Sequence, residues 1–450
     1  DGMFMDGVLY AAVSNNLANG IGSFWFPVFS HNNLAGISDS FHEQPPLFFG
    51  IQALFFKLLG SGIYTERIYT VIILVLNIFL IKKLWELVFE SNKSLQKFSW
   101  FAVLLWISIP VCFWSFSNNM IENTVSVFLL AAVIFQWKAF HSNNKNGLLF
   151  IVIAGVFIFL GSLTKGLPAL FPLVFPLVYR FFNLKYSIKK MFIHLAVMVI
   201  TISGIYFLLL LNNEAKQSLY NYFYLRLLKR INDVPTTTSY FYIVWRMLLE
   251  AIVPFSIAII LKLLTLKNKF QINNKHHVLF ITLAFCGILP LTITLVQKGF
   301  YFVPALPFLA IGLAIYSVQN LNYLFNRLSD NYKIQNVLKW SFNLILIGSI
   351  AFTYLNFGRF SREKDLLQDI HTIGKTLPTK EIINCTPELL SNWSLQPYLS
   401  RYYFISLDIN QSRHYYLCTK TDFESNKLKL LENLSVIEVQ LNNFVLLKAN

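Results

Sequence analysis

The stretch GLLFIVIAGVFIFLGSL, residues 147–163, decides the fold class, because it runs for seventeen residues without a charge. A helix of about 20 apolar residues crosses the hydrocarbon layer of a membrane, and about 17 are still sufficient. Nine further stretches are also predominantly apolar, although some contain charged residues, chiefly near their ends: 66–83, 98–115, 120–138, 167–183, 191–211, 241–261, 277–296, 300–318 and 338–357. Lipid offers no partner for open backbone groups, so each stretch must be helical. The sequence therefore predicts an all-α polytopic membrane protein with ten spans.

The positive charge of the chain follows the predicted topology. Only 13% of the residues are charged, against roughly 25% in a soluble domain, yet the formal net charge is +15. Lys and Arg concentrate in every second loop between the spans, which marks those loops as cytoplasmic. This alternation places residues 1–65 and the C-terminal region outside the cytoplasm, and it predicts one more helix before residue 1. The charge is thus topological and does not indicate a nucleic-acid partner.

The chain divides into two predicted domains. Residues 1–357 form the transmembrane domain, with a first external loop at 1–65 and a second at 212–240. Within the first loop, LFFGIQALFFKLL (47–59) is too short to span and predicts an interfacial or re-entrant helix. Residues 358–450 are polar, with β-prone runs around a helical stretch at 387–400, and predict a small external α/β domain. Cys385 and Cys418 both lie in this domain, and whether they form a disulfide is left open.

Two acidic segments in the first external loop are candidates for chemistry. Asp6 begins a segment with Tyr10 at helical spacing, so it is either a helix N-cap or a catalytic carboxylate. His42 and Glu43 precede Gln44 and a Pro pair, which holds them on a stiff extended turn. They are either solvated loop residues or part of a site. Asp6, His42 and Glu43 could also hold a metal ion, although their spacing is not diagnostic.

Basic residues on the external side are the second group of candidates. Lys165 lies in LTKGLP and Lys298 in QKGFYFVPALPF, with Tyr301 close behind. Arg226 lies in the basic and aromatic segment 212–240, which is typical of binding to anionic headgroups. Each Lys is either an interfacial residue that snorkels or part of a lipid-phosphate site. No P-loop, dinucleotide fingerprint, nucleophile elbow or cysteine metal signature is present in the sequence.

Five segments together resemble one family. MDGVLYAAVSNNL, FHEQPPLFFGIQALFFKLLG, ERIYTVIILVL, LTKGLPALFPLVFPLV and KGFYFVPALPFLAI resemble polytopic glycosyltransferases of the C-type fold, in the aminoarabinose transferase and protein O-mannosyltransferase group. The resemblance covers roughly residues 1–320. It implies a sugar donor linked to polyprenyl phosphate, and transfer on the external side of the membrane.

The resemblance also implies roles for individual residues. Asp6 matches the acid of the first external loop, which lies by the acceptor and orients or deprotonates its hydroxyl. Tyr10 matches the aromatic residue four positions later, and Glu43 matches the acid before the Pro pair. Lys165 matches the lysine of the TKG motif, and Tyr301 matches the tyrosine before the PALP run.

One position departs from the family pattern. Gln44 stands where close relatives often have a Lys that is thought to contact the donor phosphate. The departure puts that phosphate contact in doubt and leaves His42, Lys298 or Arg226 as candidates to replace it.

The sequence therefore predicts an inverting glycosyl transfer with Asp6 as the best candidate base. The acceptor is a lipid such as lipid A, a protein or an envelope glycan, and the resemblance favours a bacterial inner membrane. The sequence indicates no certain cofactor, and a divalent metal ion is left open. The alternatives are a secondary transporter and a membrane protein that binds a lipid-linked glycan without catalysis. Charges at span centres would favour a transporter, but most of these spans lack them.

Overall fold

A computed structural model describes residues 2–30, 40–142, 146–229, 234–266, 275–329, 332–357, 359, 362–410 and 412–450. The α-helices of the first 357 residues are α1 Met5–Ala18, α2 Leu47–Leu59, α3 Thr65–Val88, α4 Lys93–Gln96, α5 Ser99–Ile107, α6 Pro110–Ser117, α7 Ile121–His141, α8 Asn146–Lys165, α9 Phe175–Phe182, α10 Ile188–Leu210, α11 Asn213–Tyr220, α12 Tyr242–Glu250, α13 Ile252–Leu264, α14 His276–Ile288, α15 Leu306–Ser329 and α16 Tyr332–Asn356. Three 3-10 segments, Leu167–Val174, Leu289–Ile293 and Val303–Ala305, and one π-helix, Asn221–Leu228, interrupt them.

All ten predicted spans fall on helical segments, but the number of spans is not confirmed. Six helices in the described part of the chain are long and apolar enough to cross a membrane, or up to eight if each bent pair is one span. The bent pairs break at 78° between α5 and α6, and at 54° between α12 and α13. Pro110 opens α6, where its missing N–H leaves no bond unmade. The predicted span 167–183 is a 3-10 segment followed by the short helix α9.

The stretch predicted to lie at the interface is a helix with the predicted limits. It is α2, Leu47–Leu59, which begins after the Pro pair and ends at Gly60. Phe48, Phe49 and Phe56 are buried, whereas Leu58 is 81% exposed. Helix α2 therefore packs one face against the rest of the protein and leaves the other face exposed.

The C-terminal region is a small α/β domain, as predicted. A five-stranded sheet has the order β2-β1-β3-β5-β4. Its strands are β1 Ile382–Cys385, β2 Ser406–Asp408, β3 Tyr415–Thr419, β4 Leu434–Val436 and β5 Phe444–Ala449, and its helices are α17 Lys364–Thr376, α18 Pro387–Leu390, α19 Leu395–Tyr403 and α20 Lys420–Leu431. β1 pairs in parallel with β2 and β3, and β5 pairs antiparallel with β3 and β4.

Two sequence-based expectations need adjustment in this domain. The helix expected over 387–400 is two helices, α18 and α19, separated by a short turn around Trp393. Cys385 and Cys418 lie on neighbouring strands, and both are buried free thiols. Burial raises the pKa of the Cys418 thiol to about 11, so the thiol stays protonated at neutral pH.

The α/β domain packs directly on α1 and α2. Met3, Val8, Ala11 and Phe56 share one hydrophobic core with the domain's own apolar residues. Arg401 of α19 is fully buried and forms an ion pair with Glu66, which is also fully buried. The domain is therefore anchored to α1, which carries Asp6, to α2, which Glu43 precedes, and to α3 through Glu66.

Candidate functional site

Asp6 is positioned by the way α1 rests on the turn between α6 and α7. A Cβ on Gly7 would collide with the backbone carbonyl of Asn118, so only glycine permits this approach. The side chain of Asn118 accepts from the Phe4 N–H at 2.6 Å, and Asn119 donates to the Gly7 carbonyl at 3.0 Å. Phe4 is the N-cap and Asp6 lies in the first turn. The N-cap interpretation of Asp6 is thus wrong.

Glu43 and Arg226 join the two segments, 1–65 and 212–240, that the sequence predicts to be external. Glu43 stands just before α2, and Arg226 belongs to the π-helix Asn221–Leu228. The guanidinium Nη2 of Arg226 lies 2.9 Å from Oε2 of Glu43. About a third of each side chain remains exposed, so solvent screens this ion pair and its energy is small.

Lys165 is held between a carboxylate and an aromatic ring. It is the last residue of α8, and its ammonium forms an ion pair with Glu122 at the start of α7. The same ammonium lies 5.1 Å from the ring centroid of Tyr301. Gly166 follows with φ of 77°, and a Cβ there would collide with the hydroxyl of Tyr222. Glycine therefore ends α8 and permits the second external segment to close over Lys165.

These residues line one cavity of about 200 Å³. Eight of the nine predicted site residues lie around it: Asp6, Tyr10, Glu43, Gln44, Lys165, Arg226, Lys298 and Tyr301. Met5, Leu9, Phe300 and Trp393 complete the lining. Their roles stay predictions, but residues from 6 to 301 meet at a single place.

The cavity has two ionisable groups without a protein partner. Among the described residues, neither the carboxylate of Asp6 nor the ammonium of Lys298 forms an ion pair or a side-chain hydrogen bond, and both are half-buried. Lys165, Arg226 and Glu43 are already paired with protein groups. Asp6 and Lys298 are therefore the groups most available to a bound molecule.

Tyr10 and Gln44 form the inner wall of the cavity. Burial raises the pKa of Tyr10 well above its ordinary value, and the nearby charges of Asp6, Glu122 and Glu43 raise it further. Its hydroxyl is therefore neutral at any physiological pH. The amide of Gln44 is 3.4 Å from that hydroxyl, which is a long and weak contact. Gln44 lines the cavity at the position where the family often has Lys.

His42 does not line the cavity. Its ring nitrogens face the hydroxyls of Ser40 at 2.7 Å and Ser218 at 3.5 Å, so it joins the first external segment to α11. Burial lowers the pKa of His42 to about 4, which keeps the ring neutral at pH 7. A direct contact of His42 with a donor phosphate stays a prediction, and these bonds describe a structural link.

The metal hypothesis rests on two carboxylates. Across the described ranges, no three His, Cys, Asp or Glu side chains gather in a group that could hold a metal ion. Asp6 and Glu43 share the cavity, whereas His42 lies outside its lining. A divalent ion there stays a prediction.

Two residues of this region were missed by sequence reasoning. Glu122 is fully buried against Lys165, and the signal was an acid at the external end of an apolar span. Trp393 reaches the cavity from the α/β domain, and the signal was a Trp in a polar turn. Periodicity identifies neither, because it does not show which separate segments meet.

Comparisons with known proteins agree with this architecture. Residues 43–209 match the family model of dolichyl-phosphate-mannose-protein mannosyltransferase. The crystal structure of ArnT from Cupriavidus metallidurans bound to undecaprenyl phosphate superposes with a TM-score of 0.65 at 14% identity, covering 99% of this chain and 94% of that one. The apo structure of the same protein gives 0.59 at 12% identity, covering 98% and 92%. No curated protein matches this chain significantly in sequence.

At such low identity the structural similarity establishes the fold. The fold extends over nearly the whole chain, including the C-terminal domain. The family-model match and the fold together confirm the predicted resemblance to the polytopic membrane glycosyltransferases of the ArnT type.

Proposed function

We propose that this chain is a glycosyltransferase that moves a sugar from a polyprenyl-phosphate donor to an acceptor hydroxyl on the external face of the membrane. The observation that carries the proposal is the single cavity in which the unpaired carboxylate of Asp6 and the unpaired ammonium of Lys298 both take part. The similar structure of ArnT holds undecaprenyl phosphate, which supports a lipid phosphate as the donor group.

The proposed chemistry needs little more than positioning and charge. The acceptor oxygen attacks the anomeric carbon, the bond from that carbon to the phosphate oxygen breaks, and the configuration inverts. The acceptor proton passes to Asp6, since a positioned carboxylate is a suitable general base. The departing phosphate gains a second negative charge, and Lys298 is the unpaired cation that neutralises it. Arg226 assists, because only its Nη2 contacts Glu43 and its Nε has no hydrogen-bond partner among the described residues. Holding the donor sugar in the cavity with the acceptor hydroxyl beside Asp6 supplies the orientation.

Lys165 contributes less directly in this scheme. Its ammonium is paired with Glu122, so it adds little net charge to the cavity. It fixes the ring of Tyr301 and, through its backbone carbonyl, contacts the hydroxyl of Tyr222 at 3.4 Å. Lys165 is therefore a positioning residue in this proposal.

The test is the variant Asp6→Asn, assayed with a radiolabelled polyprenyl-phosphate sugar and a membrane extract as acceptor source. We expect transfer to fall by roughly 10²–10⁴-fold, the usual contribution of a general base, with donor binding retained. Asp365→Asn is the matched control, because Asp365 is also the second residue of its helix but is exposed and lies outside the cavity. If the Asp6→Asn variant transfers sugar at the full wild-type rate, Asp6 is not the general base.

The same assay separates the alternatives. Donor binding by the wild-type chain without any transfer would favour the non-catalytic, glycan-binding protein. A comparison of lipid extracts from cells with and without the gene product identifies the acceptor, which lacks its sugar when the chain is absent.

A further inference from the structure

Trp393 is the one residue through which the C-terminal domain lines the cavity, within the described part of the chain. The other lining residues belong to the first 357 residues. Its side chain is 54% exposed, although it stands in a polar turn between α18 and α19. No ring contact or hydrogen bond of its indole is present among the described residues. An exposed, uncommitted indole beside a polar cavity requires an explanation.

The turn that carries Trp393 is fixed rather than loose. The side chain of Asn392 accepts from the N–H groups of Ser394 at 3.0 Å and Leu395 at 3.1 Å, which encloses Trp393 in a tight turn. Ser394 in turn donates to Glu363 at 3.2 Å.

A chain of hydrogen bonds connects this turn to the N-terminal end of α1. Glu363 accepts from the hydroxyl of Tyr398 at 2.8 Å, and that hydroxyl accepts from the Met3 N–H at 2.6 Å. Met3 is only three residues before Asp6. The turn that carries Trp393 and the segment that leads into Asp6 are therefore held by one hydrogen-bonded network.

The size and polarity of the cavity indicate which kind of ligand the indole of Trp393 would contact there. A volume of about 200 Å³ lies below the roughly 300–1,000 Å³ of pockets for drug-sized ligands, so it suits a single sugar unit. Sugars present an apolar C–H face and polar hydroxyls, and Trp offers a large apolar face with little loss of side-chain entropy. Carboxylates and cations supply the hydroxyl and phosphate contacts from the remaining walls.

We propose that Trp393 is a specificity-determining residue that stacks on the ring of the donor sugar. The proposal rests on the proposed function and extends it, since it assigns the C-terminal domain a part in substrate choice. With the donor phosphate at Lys298 and Arg226, the sugar occupies the rest of the cavity, where Trp393 forms a wall. Interfacial Trp residues also anchor proteins to membranes, and the experiment distinguishes this role.

The experiment measures binding of two lipids to the full-length chain in detergent. One probe is undecaprenyl phosphate, and the other is the same lipid carrying one sugar, in separate mannose, glucose and aminoarabinose forms. Trp393→Ala should weaken binding of the preferred sugar-bearing lipid by about tenfold, the order of a good aromatic contact. Binding of bare undecaprenyl phosphate should change less than twofold. Trp393→Phe should restore most of the loss, because a ring remains.

The matched control is Ile409→Ala, which removes an exposed apolar side chain of the same domain away from the cavity. If Trp393→Ala weakens binding of both lipids equally, or of neither, the inference about Trp393 is overturned. The proposed function still stands in that case, provided that the wild-type chain transfers the sugar. Absence of transfer and of sugar-lipid binding in the wild-type chain would overturn the proposed function itself.

Discussion

Replacing Lys165 with Met should destabilise the protein strongly, and replacing its partner as well should reverse most of the loss. Lys165 is 7% exposed and Glu122 is fully buried. One oxygen of Glu122 already has no hydrogen-bond partner, so loss of Lys165 leaves a buried carboxylate without a counter-charge. Breaking such a pair costs about 3–5 kcal/mol. At roughly 2 °C per kcal/mol for a large domain, the melting temperature should fall by about 6–10 °C.

The double variant Glu122→Gln with Lys165→Met tests the cause. It leaves a neutral pair of similar volume, and replacing both members of a buried ion pair is often close to neutral. The coupling between the two substitutions should therefore be at least about 3 kcal/mol, at or above the upper end of the range for contacting residues. The assay is thermal unfolding in detergent, with intrinsic fluorescence as the signal that reports unfolding.

An exposed lysine gives the control. Lys216→Met removes a solvent-exposed Lys of α11 and should shift the melting temperature by less than about 1 °C, as surface changes do. The argument fails if Lys165→Met behaves like this control, or if the double variant is no more stable than Lys165→Met alone.

Three other predictions concern the remaining contacts. Arg226→Met should cost less than about 1 kcal/mol of stability, because its pair with Glu43 is partly exposed, yet it should raise the KM for the donor at least several-fold in the transfer assay. Arg401→Met leaves Glu66 buried and unpaired, so we expect a loss of about 3–5 kcal/mol and, in limited proteolysis, faster cleavage of the C-terminal domain; unchanged proteolysis would contradict this. The pKa of His42, about 4 when folded against 6.5 when unfolded, gives stability that is complete above pH 6.5 and lost as the pH falls towards 4. His42→Gln should therefore flatten this acid-side decline in melting temperature, and an identical pH profile would refute the link.

The parts of the fold that follow from local pattern were predictable. Apolar length located the helical segments, and the Pro pair with its apolar run gave the limits of α2. β-Branched and aromatic runs located β1, β3 and β5. The two bends were not predicted, although each lies beside a proline: Pro110 opens α6, and Pro254 lies in the first turn of α13, where a proline removes a backbone donor.

The site was only partly accessible from the sequence. Topology placed Asp6, Glu43, Lys165 and Lys298 on one side, and the family resemblance supplied the rest. Neither could show that Lys165 is neutralised by Glu122, because an ion pair between α7 and α8 depends on how the two helices pack. The N-cap assignment of Asp6 failed for a related reason. The side chain of Asn118 already bonds the N–H of Phe4, the N-cap residue of α1, so the helix begins two residues earlier than composition suggests.

The hydrogen bond between Met3 and Tyr398 also has a consequence for biosynthesis. It joins residues 395 positions apart, and the ribosome adds only about 5–20 residues per second. Helix α1 is therefore made at least ~20 s before the domain that fixes it. During that interval Asp6 lacks the wall that Trp393 provides. We expect a nascent chain to be inserted but inactive, and the finished C-terminal domain to complete the cavity of the proposed site.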